Sequence, residues 1–458
     1  MNTLRSFCFI FLLGLYEMAA GQGKNLFFRH LTTSDGLSNN TVYAINEDTL
    51  GFIWIGTRSG LNRFDGHSFR VYDNTSGLRN VFINTIFRDS KGRIWVGTQG
   101  GGISRYEYES GGFTSFVNDP LQPNSISDDD VQAIVEDSKG NLWIGTHEGG
   151  LNRLDMETNR VTRIPVNKIL PGGYHIDRIN TMLMENDTLI WLGTLDGLFY
   201  YNPLKNKASP YFVNGRPVNA RILCFFREGL NKLWLGTQSG IIKVDKNQHT
   251  AEYVTSGKTG LSSDLVVDIK QSPDGHIMIA TDGGGLNIYD PVSGEYTTLM
   301  NNPNSTNSLS NNSVYAIFID SFKGLWVGNY IGGINYYSEY DWKFQPVKHE
   351  LNDPHSLSDN HVRCFYQDRQ GILWIGTLGG LNQYDPFSGR FRIYTADRKD
   401  PNSLGSNSVL SIYEDHDGKL WIGTFGGGIS ILDKRSNTFR KFRHPDDKTH
   451  SLDKANIY

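Results

Sequence analysis

The segment Gly140-Asn141-Leu142-Trp143-Ile144-Gly145-Thr146 recurs along the chain, and this repetition limits what the chain can fold into more than any other feature. Its tryptophan falls at Trp54, Trp95, Trp143, Trp191, Trp234, Trp326, Trp374 and Trp421, and Met278 takes the position in the sixth copy. Successive positions lie 41, 48, 48, 43, 44, 48, 48 and 47 residues apart. A period in the forties, with four short strand patterns per unit and no 3.6-residue apolar rhythm, argues against helical repeats and predicts β-propeller blades.

Within each unit the first strand is typified by Val131–Asp137, with equivalents beginning at Val42, Ile83, Ile179, Ile222, Val266, Val314, Val362 and Val409. A turn such as Asp137-Ser138-Lys139-Gly140 follows, where glycine can take the positive φ of a tight hairpin. The second strand is the Leu-Trp-Ile-Gly-Thr run. A glycine-rich turn (Gly149-Gly150) leads to the third, Leu-Asn-Arg-Leu-Asp. The fourth is an aromatic alternation, Phe69–Tyr72, Phe113–Phe116, Phe391–Tyr394 and Phe439–Phe442, expected at the outer edge of the blade. One large ring per unit at a fixed position is what packing adjacent twisted sheets requires, so the repeat tryptophans are read as structural. Trp342 lies outside that register and blade packing does not explain it.

The predicted fold is all-β: a propeller of four-stranded blades of about 45 residues, one complete seven-bladed ring plus the start of a second. Leu26–Leu31 resembles a fourth strand and precedes the first repeat, so it can close a ring by pairing with the last blade and remove the exposed edges. Seven blades per ring give a first propeller over residues 22–342 and the first blades of a truncated second one over 343–458, with Lys343–His349 as its opening strand. Ser451–Tyr458 aligns with Ser356–Arg363, inside the first strand of a tenth repeat, so the expectation is the N-terminal part of a longer polypeptide. Residues 1–21 read as a signal peptide: a basic start ending at Arg5, an apolar stretch from Phe7 to Leu15, and a small-residue cleavage site at Ala19-Ala20-Gly21. That stretch falls short of the roughly 20 residues of a spanning helix. The expectation is export to the periplasm.

A net charge of −4 without basic runs gives no reason to expect nucleic acid or an anionic membrane as a partner. Cys224 and Cys364 each lie ten residues before a repeat tryptophan, in a column of mostly small side chains, and are read as structural thiols. Carboxylates recur six residues before tryptophan (Asp48, Asp89, Asp137, Glu185, Glu228, Asp320, Asp368, Asp415), a pattern that turn chemistry accounts for, whereas catalysis needs an asymmetric pair in one pocket. The histidines show no paired ligand spacing. No catalytic residue, metal or cofactor is assigned.

Binding belongs where the repeats disagree. Four residues after the tryptophan column stand Arg58, Gln99, His147, Leu195, Gln238, Asp282, Tyr330, Leu378 and Phe425. The turns that carry them, and the loops entering each first strand, should emerge on one ring face near the axis. The hydrogen-bonding and aromatic members, Arg58, Gln99, His147, Gln238, Asp282 and Tyr330, suit recognition of a sugar. Pro171–Arg178, which replaces the usual Ser-Leu-Ser loop, adds Tyr174, His175 and Arg178.

Repeats of the form G-x-L-W-I-G-T-x-x-G-G-L-N-R-Y-D, preceded by S-L-S-x-N-x-V-x-x-I-x-E-D, resemble the two-component regulator propeller repeats of large bacterial sensors. The likeness runs from Asn25 to Tyr458 through nine copies, and is greatest to the periplasmic sensor region of hybrid two-component systems. The resemblance implies detection of an oligosaccharide, signalling across the membrane to glycan-utilisation genes, a homodimer in the full-length context, and inner-membrane anchoring through a part not contained in this sequence. The family's kinase modules are absent here, so kinase activity attaches to no residue of this chain. The rival expectation is a secreted propeller serving as a protein-interaction platform.

Overall fold

Eight of the nine repeats each form one four-stranded antiparallel sheet with its strands in chain order, and the seventh borrows its fourth strand from the start of the chain. The computed structural model describes residues 26–166, 176–338, 347–350, 353–385 and 390–442. The chain divides into two compact units, 1–340 and 341–458. In the first, blades 1 to 6 span 42–72, 83–116, 131–164, 179–210, 222–254 and 266–299. Blade 7 takes Val314–Ile319, Leu325–Asn329 and Ile334–Tyr337 from its own repeat, and Arg29–Leu31 as the fourth strand. Arg29 pairs with Tyr336 and Leu31 with Ile334, so a strand from the start of the chain seals the last blade. The first strand of each blade packs on that of the next, and Val42–Glu47 packs on Val314–Ile319, which completes a ring of seven. The second unit contains two blades, 362–394 and 409–441, among the described residues.

The core lies between blades. Trp54 is buried with Ile83, Ile86, Ile94 and Tyr106 of blade 2, and Trp326 with Ile53 and Phe64 of blade 1. Each indole N–H donates to the carboxylate six residues earlier, at 2.8–3.2 Å in all eight tryptophan-bearing blades. Asp48 illustrates the double role: Oδ1 accepts the turn amides of Leu50 and Phe52, and Oδ2 accepts from Trp54. Turn chemistry therefore explains only half of that column. The constant spacing of six was the signal for the other half.

Two residues past the tryptophan the strand runs against the next blade. A Cβ at Gly145 would stand 2.6 Å from Ile179 Cγ2, so the close approach of the two sheets requires glycine there. Cys224 and Cys364 are free thiols, Cys224 buried and Cys364 half-buried, and burial raises the pKa of both. Residues 1–21, expected to be a signal peptide, together with Tyr174, His175, Trp342, Lys343–Pro346 and Ser451–Tyr458, lie outside the described residues.

Candidate functional site

In six of the seven blades of the ring the turn after the second strand is pinned by the same backbone bond to the loop that enters the first strand. The N–H of Arg58 donates to the Thr41 carbonyl at 3.1 Å, and the same bond joins Gln99 to Phe82, His147 to Asp130, Leu195 to Arg178, Asp282 to Leu265 and Tyr330 to Ser313 at 2.9–3.2 Å. The fold thus fixes the backbone of the variable column while leaving its side chains free to differ. Because the first strands pack around the ring, these positions surround one mouth of its axis.

A second column joins them. Every first strand of the ring carries a register shift just after its opening residue, leaving Tyr43, Asn84, Gln132, Asn180, Leu223, Val267 and Tyr315 outside the ladder. A bulge of this kind turns a side chain out of the regular alternation, here in all seven blades at one level of the ring.

On one side of the mouth the column is aromatic. Tyr43 stacks on Phe82 with centroids 5.0 Å apart and on Tyr315 at 5.8 Å, and Tyr330 packs on Tyr315 at 5.4 Å. The Tyr315 hydroxyl donates to Asp282 Oδ2 at 3.3 Å. Burial, and then the Asp282 charge, pushes the Tyr315 phenol up to about 12. Beside it opens a cavity of about 520 Å³ with Leu223, Leu265 and Val267 as apolar lining and Arg221, Gln238, Ser239 and Asp282 as polar lining. That volume lies within the roughly 300–1,000 Å³ of small-molecule sites, and its lining is mixed, with polar side chains at least as numerous as aliphatic ones.

The other side is polar. Asp130 accepts from Asn84 Nδ2 at 2.9 Å and from Gln132 Nε2 at 2.6 Å. Burial raises the Asp130 pKa against the opposing influence of Gln132 and the nearby His147. Arg178 pairs with Glu148 at 3.4 Å.

Of the nominated residues, Gln238 and Asp282 line the cavity and Tyr330 backs its aromatic wall. Arg58 lies near Tyr43, where its charge partly offsets the burial that raises that phenol. Gln99 and His147 lie against Asp130, and Arg178 is held by Glu148. Sequence reasoning missed Arg221, Leu223, Leu265, Val267 and Tyr315. They occupy the column before each first strand and the bulged column after its opening residue, both as variable as the one that was used. Among the described residues, no group of three His, Cys, Asp or Glu side chains is placed to hold a metal ion.

Comparison with known proteins defines the class. The two-component regulator propeller family matches residues 36–59, 77–100, 125–148, 308–330, 356–379 and 403–426, so this chain carries two-component regulator propeller repeats. The extracellular domain of a hybrid two-component system from B. thetaiotaomicron is similar over 92% of this chain and 55% of its own, at 30% identity and a TM-score of 0.60. The extracellular domain of a one-component system from the same organism covers 90% and 59%, at 21% identity and a TM-score of 0.57, a likeness of fold. Histidine kinase P4 of Formosa agariphila is 40% identical over 74 residues, 16% of this chain and 5% of that protein. The chain therefore spans little more than half of these two structures and a small part of the kinase. The likeness to extracellular sensor domains supports a sensor role and an extracellular or periplasmic placement.

Proposed function

We propose that this chain is the periplasmic ligand-sensing portion of a transmembrane two-component sensor, that it detects an oligosaccharide, and that the signal reaches transcription of glycan-utilisation genes. In this reading the protein is exported through its signal peptide, anchored in the inner membrane by a part beyond this sequence, and paired as a homodimer. The observation that carries the ligand assignment is the cavity in which the Tyr315 ring, backed by Tyr330 and Tyr43, meets Arg221, Gln238 and Asp282. A sugar ring presents C–H groups to an aromatic side chain and hydroxyls to planar polar groups, and the cavity offers both. Bound ligand acts by shifting a pre-existing equilibrium between arrangements of the sensor, which requires different affinities for the two.

Calorimetry of the purified chain against a panel of oligosaccharides tests this reading. At least one neutral oligosaccharide is expected to give a saturable heat, and Tyr315→Ala to weaken it by about tenfold or more, equivalent to roughly 1.4 kcal/mol. No heat from any member of the panel, or full affinity in Tyr315→Ala, would remove the mouth of the first ring as the ligand site.

A further inference from the structure

Blade 6 departs from the repeat at three columns together. Met278 stands where the other eight repeats have tryptophan, Ser272 where they have the carboxylate that accepts the indole N–H, and Ala280 where they have glycine. At four of the six other junctions of the ring the indole of one blade lies against a third-strand ring of the next: Trp54 on Tyr106 at 4.8 Å, Trp143 on Tyr201 at 5.6 Å, Trp234 on Tyr289 at 5.7 Å and Trp326 on Phe64 at 5.9 Å. At the other two it lies against Leu154 or Val244. The corresponding residue facing Met278 is Tyr337. Here the two line a cavity of about 530 Å³, with Ser272, Ile319 and Leu325 in its wall. Asp274, Asp290 and Glu295 also line it, Asp274 and Glu295 being exposed to solvent. Lys323 and His276 also line it, and His276 Nδ1 lies 3.1 Å from Asp274 Oδ1.

We propose that this cavity between blades 6 and 7 is a binding site for a small planar aromatic molecule carrying an N–H or ammonium donor. The molecule takes the place that an indole side chain fills between other blades. Its ring lies among Leu325, Ile319, the Met278 thioether and Tyr337, contacts that favour an aromatic over an aliphatic occupant. Its donor faces the carboxylates, which outnumber the cationic groups of the lining. The loss of tryptophan and its carboxylate partner in the same blade removes the built-in occupant and the acceptor committed to it, and leaves room within the range of small-molecule sites. This site is separate from the mouth of the ring and does not depend on the oligosaccharide reading.

The test uses the purified chain labelled with ¹³C at its methionine methyls, titrated with indole, tryptamine and indole-3-acetate. Tryptamine is expected to bind more tightly than indole, indole-3-acetate more weakly than both, and the Met278 methyl resonance, assigned with Met278→Leu, to move by the ring current of the bound molecule. The double variant Ser272→Asp/Met278→Trp restores the indole and its acceptor and fills the cavity, so it is expected to lose tryptamine binding while its melting temperature rises. The proposal is overturned by the absence of saturable binding of indole and tryptamine, by binding that leaves the Met278 methyl unmoved, or by undiminished binding in the double variant. If the double variant does not fold, the Met278 methyl resonance of the parent chain decides alone.

Discussion

Trp54→Ala is expected to destabilise the first ring by about 3–5 kcal/mol, the range for deleting a fully buried large aromatic side chain. Trp54 has no exposed surface, stacks on Tyr72 at 5.5 Å and 20°, and meets Tyr106 of blade 2 at 4.8 Å. Removing the indole leaves a void between two sheets that the ring holds on both sides, so collapse around it is limited. It also takes a donor from Asp48, which is itself buried, although the Tyr108 hydroxyl still reaches Oδ2 at 3.1 Å. Trp54→Phe keeps most of the apolar contact and loses the hydrogen bond, so a smaller cost is expected. Urea unfolding of the three proteins followed by circular dichroism measures the difference. Near-parental stability in the alanine variant would mean that the tryptophan column is not the packing element between blades.

Deleting Leu26–Leu31 is expected to have an effect of similar size and a different character. Phe28 and Leu31 are 3% and 2% exposed. Burial of such side chains contributes roughly 1.5–3 kcal/mol each. The strand Arg29–Leu31 also covers the edge of Ile334–Tyr337, and without it blade 7 presents unpaired backbone groups to other chains. Lower thermal stability together with concentration-dependent association on size exclusion is the expected outcome. A truncated chain that stays monomeric and melts with the parent would show that the ring does not depend on this strand.

The periodicity made the architecture legible before any coordinates. Four strands per repeat, a tryptophan in every blade but the sixth and a closing strand near Leu26–Leu31 all follow from spacing and alternation, and the structure has each of them. The site was legible only in part. The variable column that includes Gln238 and Asp282 could be read because the repeats themselves supply the alignment. Tyr43 and Tyr315 could not be paired from sequence, because only closure of the ring brings blade 1 against blade 7. The bulged column escaped for a different reason: a register shift is a property of backbone pairing, and Tyr43 or Leu223 looks in sequence like an ordinary strand residue. The inter-blade cavity was visible as the Met278 substitution, yet its meaning depended on knowing that the column six residues earlier serves the indole.

In the proposed sensor the mouth of the first ring receives the ligand. Hydrogen–deuterium exchange of the chain, with and without the oligosaccharide that gives the largest heat, tests it most directly. Slowed exchange is expected at Arg221–Leu223, Gln238–Ser239, Asp282 and Tyr315, on the segments that line the cavity. Saturable binding with protection confined to residues away from that mouth would contradict it.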